Sequence, residues 1–368
     1  MTGIAIAAAG SGGHVYPALA VADALVDRGI DRNDIVFFGG DRMEATAIPD
    51  AGYTFVGVDI HGIRRSLSVD NLTLPAKVRD ARRIIAAEMD ARGVGAMVVF
   101  GGYVAGPAAL AASKNHVPLV VHEANAVPGV ANRLIARRAD TVFAAFEPTT
   151  TKLVNASVIG SPLRSAFTTY DRDSLRQAAR DRYGLAEDAT VLGVVGGSLG
   201  AQFLNDVTRL IAKDTSRDFD IVHITGHSHH AALAEEATSH AASSSHGGSR
   251  WVTVPFEENM VDLYAVSDLV LCRSGALTIS ELQATHTPAV VVPLPAGKGY
   301  QAENATDLVA AGGAIVEPQS DPATVAAVVQ NTLASSAALT AMAAAEYTVD
   351  HRLATSVMTS RILEVADA

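Results

Sequence analysis

The chain alternates short apolar runs with longer helical segments. In its first half the apolar runs are Ile4–Ala9, Ile35–Phe38, Thr54–Val58, Ala96–Phe100, Leu119–Val121 and Thr141–Ala144. None alternates strictly with polar residues, which fits strands buried on both faces. Helices are predicted over 14–28, 75–91, 105–114 and 128–138. The rhythm restarts at Val191–Val195 and continues through Ile221–Ile224, Trp251–Val254, Leu269–Cys272, Ala289–Val292 and Ala314–Val316. Strands separated by helices of this length predict parallel sheets covered on both faces. A glycine-rich turn opens each half: Gly10-Ser11-Gly12-Gly13, then Gly196-Gly197-Ser198-Leu199-Gly200. The expected fold class is α/β, with two doubly wound, Rossmann-like domains. A boundary near Gly160–Arg164 gives an N-terminal domain over 1–160, a C-terminal domain over 161–345 and a helical tail over 346–368 that is expected to return to the N-terminal domain. The low-complexity segment at 240–250 reads as a surface loop.

Composition narrows the classes. A chain of 368 residues, 49% hydrophobic and 18% charged, is long enough for two packed cores. A net charge of -11 argues against a nucleic-acid partner, which calls for a basic footprint. Any anionic partner needs a local basic patch. The only cysteine, Cys272, allows no internal disulfide and fits a reducing cytoplasm. Residues 93–113 carry no charge and are long enough to span a bilayer. Gly101-Gly102 and Gly106-Pro107 interrupt them, so a strand, a turn and a helix explain them better. Residues 3–22 are apolar but lack the positive flank of a signal peptide. No transmembrane helix is expected.

Several motifs carry candidate chemistry, each beside a plainer reading. Ser11, Gly12 and Gly13 form an anion-binding strand–turn–helix or a bare tight turn. His14 at its tip is a base or hydrogen-bond partner, or a loop histidine. The run Cys272-Arg273-Ser274-Gly275-Ala276-Leu277-Thr278 leads from a strand into a helix whose small residues leave amides open to a phosphate. Glu281, further along it, suits a pair of ribose hydroxyls or is a solvated carboxylate. Gln301 and Asn304 share one helix face and suit sugar hydroxyls, or mark an ordinary polar helix start. Asn125 follows a strand end, where open α/β folds place ligands. His122-Glu123 lacks the spacing of a metal site. Asp171-x-Asp173 and Asp218-x-Asp220 are read as solvated.

Taken together, these residues resemble the MurG family of N-acetylglucosaminyltransferases nearly end to end. The resemblance rests on GSGGHVYPALA at 10–20, FGGYVAGP at 100–107, HEANAVPG at 122–129, GSPLR at 160–164, GGSLGAQFLND at 196–206, CRSGALTISEL at 272–282, and Gln301 with Asn304. It implies the GT-B fold with a cleft between the domains, inversion at the anomeric carbon, no divalent metal and no cofactor. The donor it implies is UDP-N-acetylglucosamine, and the acceptor is lipid I, converted to lipid II in peptidoglycan synthesis. It also implies a role in cell shape and division, with cell-wall synthesis proteins as candidate partners. Carried over by position, Ser198 and Arg164 lie near the nucleotide and its diphosphate. Ala276, Leu277 and Thr278 hold phosphate and sugar. Glu281 binds ribose, backbone near Phe256 reads uracil, and Gln301 and Asn304 meet sugar hydroxyls. His14 and Asn125 face the cleft from the acceptor domain. Ser11, Ala124, Leu199 and Tyr300 depart from the family's usual residues.

The implied reaction is a single displacement with His14 as base. A lipid-linked acceptor implies peripheral docking on the cytoplasmic side of an anionic cell membrane. Residues 61–92 supply Arg64, Arg65, Lys77, Arg79, Arg82, Arg83 and Arg92, interleaved with Leu67, Leu72, Leu74, Val78, Ile84 and Ile85. The plainer reading is a helix with its apolar face on the core. The rival functions are a UDP-sugar 2-epimerase, an NAD-dependent oxidoreductase and a non-catalytic scaffold of the cell-wall machinery.

Overall fold

A computed structural model describes residues 3–61, 70–197, 200–214, 216–243, 249–295 and 300–367. Two compact units emerge, one of Met1–Thr168 with Val349–Ala368, the other of Thr169–Thr348.

The first unit holds strands β1 (Gly3–Ala8), β2 (Ile35–Gly39), β3 (Thr54–Gly57), β4 (Val94–Gly101), β5 (Leu119–Glu123), β6 (Thr141–Ala144) and β7 (Ala156–Val158). They form one sheet in the order β3-β2-β1-β4-β5-β6-β7, every pair parallel. Every residue of β1 and β5 is buried, as two covered faces require. On one face, helices Asp70–Ala91 and Ala105–Lys114 pack Ile85, Met89, Ala108 and Ala111 against Val36, Met97 and Val121. On the other, helix Gly12–Asp27 packs Val15, Val21 and Leu25 against Ile4, Ile6 and Phe37. The C-terminal helix His351–Ala366 adds Met358, Ile362 and Val365 to this face.

The second unit holds β8 (Thr190–Val195), β9 (Phe219–Ile224), β10 (Trp251–Val254), β11 (Leu269–Cys272), β12 (Ala289–Val291) and β13 (Ala314–Val316). Their order is β10-β9-β8-β11-β12-β13, again all parallel. In each sheet the strand order reverses beside the opening strand, between β1 and β4 and between β8 and β11. Loops leaving the carboxyl ends at such a reversal diverge to opposite faces and leave a crevice, where this architecture holds ligands. Each glycine turn follows one of those opening strands.

Several details differ from the sequence reading. Strand β7 is an additional strand, and the first unit runs past the expected Gly160–Arg164 boundary to Thr168, because the C-terminal helix bonds Ser161 and Leu163 to it. Helix His227–Ser243 runs into the segment expected to be a loop, because its alanines favour helix; residues 244–248 lie outside the described residues. Asp171 is not merely solvated: its side chain caps helix Arg172–Tyr183 by accepting from Asp173 N–H. Asp220 is buried within β9, and its carboxylate accepts from Arg250 N–H at 2.7 Å. Among the described residues no single helix is long and apolar enough to cross a membrane.

Candidate functional site

In the first unit, the loops after β1, β2, β4 and β5 leave from the carboxyl edge of one sheet. Ser11 caps helix Gly12–Asp27 through extended backbone, and its side chain makes no capping bond. The Ser11 hydroxyl therefore leaves the first amides of that helix without a capping acceptor, and no other side chain among the described residues is recorded accepting from Gly12 or Gly13 N–H. His14 sits in the first turn, half-buried, with Nδ1 3.0 Å from the Ala9 carbonyl oxygen. A carbonyl only accepts, so Nδ1 carries the hydrogen and the neutral ring keeps its lone pair on Nε2. That nitrogen lies over Gly101, where a Cβ would come within 3.1 Å. Gly102, at φ +80, sits so close to Ala9 that a Cβ would lie 2.3 Å from its carbonyl oxygen. Only glycine fits that backbone. FGGYVAGP thus supplies the floor under the His14 turn.

Asn125 stands on the neighbouring loop, organised by Glu123, a carboxylate that the sequence reading weighed only as a metal ligand. Glu123 is 1% exposed. Its Oε1 accepts from the Asn125 amide at 2.9 Å and Asn125 Nδ2 at 3.2 Å. Its Oε2 accepts from Gly129 N–H at 3.0 Å and Asn132 Nδ2 at 2.9 Å. His122 is fully buried; Nε2 donates to the Gly160 carbonyl at 3.0 Å, and burial lowers its pKa to about 4.

Gly160–Arg164 is held by the C-terminal helix. His351 Nδ1 accepts from Ser161 N–H at 2.8 Å, and Thr355 Oγ1 accepts from Leu163 N–H at 3.0 Å. Arg164 follows, within the first unit, its guanidinium 5.5 Å from the Tyr16 ring and 5.8 Å from Phe167. The resemblance puts Arg164 beside the nucleotide, and both of these rings belong to its own unit.

In the second unit, helix Ala276–Thr285 starts at Gly275, with no side-chain cap and no acidic residue in its first turn. The amides of Ala276, Leu277 and Thr278 therefore present the positive end of the helix dipole. Ser274 is fully buried, and its hydroxyl has no hydrogen-bond partner among the described residues. Its carbonyl accepts from Asn304 Nδ2 at 3.0 Å. Asn304 is itself buried, so this amide supports the helix mouth from below. Gln301, half-buried, accepts from Leu294 N–H at 3.2 Å. Glu281 is not a solvated carboxylate: it is buried, and Tyr264 Oη donates to its Oε2 at 2.8 Å. Phe256, beyond β10, stacks on His227 with ring centroids 5.9 Å apart. Ser198 lies outside the described residues. Burial pushes the Cys272 thiol up to about 12, far from a thiolate nucleophile. Among the described residues, no cluster of three or more His, Cys, Asp or Glu is placed to hold a metal.

Two parallel sheets, each with a glycine turn at its reversal point and an uncapped helix mouth in the second, define the GT-B class of sugar-nucleotide enzymes. Residues 4–144 match the glycosyltransferase family 28 N-terminal domain, and residues 191–357 match its C-terminal domain. A relative from Mycobacterium sp. (strain JLS), a UDP-N-acetylglucosamine–N-acetylmuramyl-(pentapeptide) pyrophosphoryl-undecaprenol N-acetylglucosamine transferase, is 39% identical over 99% of this chain and 95% of its own. The crystal structure of Acinetobacter baumannii MurG superposes with a TM-score of 0.76 at 30% identity, covering 99% of this chain and 100% of that one. A Neisseria meningitidis UDP-GlcNAc 2-epimerase superposes at 0.68 over 99% of this chain and 100% of its own, but at 11% identity, which shows a shared fold alone. The chain belongs to glycosyltransferase family 28, in its MurG branch.

Proposed function

We propose that this protein transfers N-acetylglucosamine from UDP-N-acetylglucosamine to the lipid-linked muramyl-pentapeptide acceptor, converting lipid I to lipid II. The observation that carries this reading is the uncapped turn Ala276–Thr278 with buried Glu281 one turn deeper, in a chain 39% identical to a transferase of that name. The helix mouth suits the diphosphate, and Glu281 suits the ribose hydroxyls. Backbone near Phe256 reads the uracil, with Ser198, Arg164, Gln301 and Asn304 completing the donor residues. In the reaction the acceptor's sugar hydroxyl attacks the anomeric carbon as the bond to the diphosphate breaks. His14 Nε2 takes the hydroxyl proton, Asn125 orients the acceptor, and the carbon inverts. Negative charge growing on UDP is met by helix amides already in place.

A lipid-linked acceptor calls for docking on the cytoplasmic side of the membrane. The helix Asp70–Ala91 supports only part of the expected surface. Ile85 lies in the core and Leu74 and Val78 pack against it, because they face the sheet. Arg79, Arg83 and Ile84 are exposed. Arg64, Arg65 and Leu67 lie outside the described residues, as does the Leu72 side chain. The same layer of helices adds residues that sequence reasoning did not single out. Val130 is 73% and Leu134 65% exposed, with Arg133, Arg137 and Arg138 exposed nearby in sequence. A groove of about 670 Å³ beside them is lined by Leu110, Val117, Leu134, Ile135, Arg137 and Arg138. Apolar side chains rimmed by arginines suit an anionic lipid surface.

The deciding experiment incubates the protein with UDP-N-acetylglucosamine, with and without lipid I. Release of UDP and formation of lipid II only when lipid I is present supports the reading. Conversion of the UDP-sugar without acceptor would make the protein an epimerase instead.

A further inference from the structure

We propose that Glu44 is a positioning residue that acts on His14 through the Ala9–Gly10 peptide. The proposal rests on the reading of His14 as the base. Glu44 opens the helix Glu44–Asp50 just past β2 and is fully buried. Its Oε2 accepts from Gly10 N–H at 3.1 Å. Its Oε1 accepts from Gly40 N–H at 3.1 Å and from Tyr103 Oη at 2.5 Å. One carboxylate thus ties together the loops leaving β1, β2 and β4. Burial alone would raise its pKa, but the donors outweigh it and hold the carboxyl below its ordinary range. Burial and the carboxylate push the Tyr103 hydroxyl up, so it stays a donor. The surroundings are shaped to this arrangement. A Cβ on Gly39 would come 2.8 Å from Glu44 Cγ, and one on Gly40 would come 2.3 Å from the Tyr103 hydroxyl.

Gly10 N–H and the Ala9 carbonyl belong to the same peptide group. The N–H donates to Glu44, and the carbonyl accepts from His14 Nδ1–H at 3.0 Å. An anion on the N–H side polarises the amide and deepens the negative charge on its oxygen. A stronger acceptor there keeps the imidazole hydrogen on Nδ1 and the lone pair on Nε2. In hydrolytic triads a carboxylate bonded directly to the imidazole does this. Here a peptide group relays the effect, fixing both the tautomer and the ring orientation.

Glu44→Gln tests this, since it keeps size and one acceptor oxygen while removing the charge. The expected result is a fall in kcat of about 10- to 100-fold, the range known for outer partners that orient metal-ligating imidazoles. Donor KM should not change. ¹⁵N NMR of imidazole-labelled protein should show the neutral His14 ring moving from the Nδ1–H toward the Nε2–H form, its resonances assigned by their loss in His14→Asn. Glu44→Asp, which keeps the charge but shortens the reach to Gly10, should move the tautomer the same way and serves if the Gln variant does not fold. A folded variant with unchanged kcat and unchanged tautomer would overturn the proposal. So would a loss of kcat matched by loss of folded protein while the tautomer stays put. The NMR reading needs no substrate, so the two failures are distinct: a parent protein that fails to glycosylate lipid I overturns the functional reading, and an unchanged tautomer in the folded variants overturns the Glu44–His14 relay.

Discussion

The Tyr264 hydroxyl donates to Glu281 Oε2 at 2.8 Å and fixes a buried carboxylate one turn behind an uncapped helix mouth. Ribose contacts of this kind hold ground state and transition state alike. Glu281→Ala should therefore raise the KM for UDP-N-acetylglucosamine more than it lowers kcat. Hydrogen bonds to an ionised group are worth about 1.5–3 kcal/mol, or roughly 10- to 150-fold in KM. Steady-state kinetics at saturating acceptor check this, and an unchanged donor KM would remove Glu281 from the donor site.

His14→Ala should cut kcat by roughly 10²–10⁴, the usual range for a general base. UDP affinity by calorimetry should stay at the parent value, because the residues proposed to hold the base and ribose belong to the second unit. Near-normal turnover would reduce His14 to a turn residue.

Acid should weaken the first unit through its buried imidazoles. Burial lowers His122 to about 4 and His351 to about 3. Both folded values lie below the ordinary imidazole value of about 6.5, so on acidification the unfolded chain takes protons first. The stability is fully present above about pH 6.5 and is lost as pH falls towards the folded values, by up to about 1.4 kcal/mol per pH unit for each ring. Melting temperatures measured from pH 7 down to 4.5 should fall. His351→Gln, which keeps an acceptor for Ser161 N–H, should flatten the curve. A profile flat in the parent would contradict neutral burial.

Membrane docking should be electrostatic and salt-sensitive. Basic residues near an anionic surface contribute about 1 kcal/mol each and are screened by salt. Replacing Arg79, Arg82 and Arg83 with Glu should weaken sedimentation with anionic vesicles while UDP affinity stays unchanged. If that variant sediments like the parent and Leu134→Asp does not, the helix Val130–Ile135 carries the docking surface.

Much of the fold was legible because its signals are local. Apolar runs of the right length predicted twelve strands, and glycines marked the turns that open both sheets. Strand β7 escaped, since Ala156–Val158 is three residues long and carries a serine at its centre. Asn125 stood out as a polar residue just past a buried strand, and His14 and Glu281 as polar residues in helices that follow a strand and a turn of small residues. Glu44 and Glu123 did not. Glu44 draws on Gly10 and Tyr103, 34 and 59 positions away, and the donors of Glu123, though within nine positions, gather on it only once the loop after β5 folds back over its strand end.

The sequence by itself determined the class of fold, the two glycine turns, the helix mouth at Ala276–Thr278 and the family. Each depends on residues adjacent in the chain, whose spacing is their geometry. Only the tertiary structure decided that Leu74, Val78 and Ile85 turn to the core while Ile84 does not, that Asn304 supports Ser274, and that Tyr264 meets Glu281. It alone brought Glu44 to Gly10 across 34 positions and Ser161 to His351 across 190. The physical reason is that hydrogen bonding of a buried polar group depends on which strand ends the sheet order places side by side, and that order is settled by packing the whole sheet.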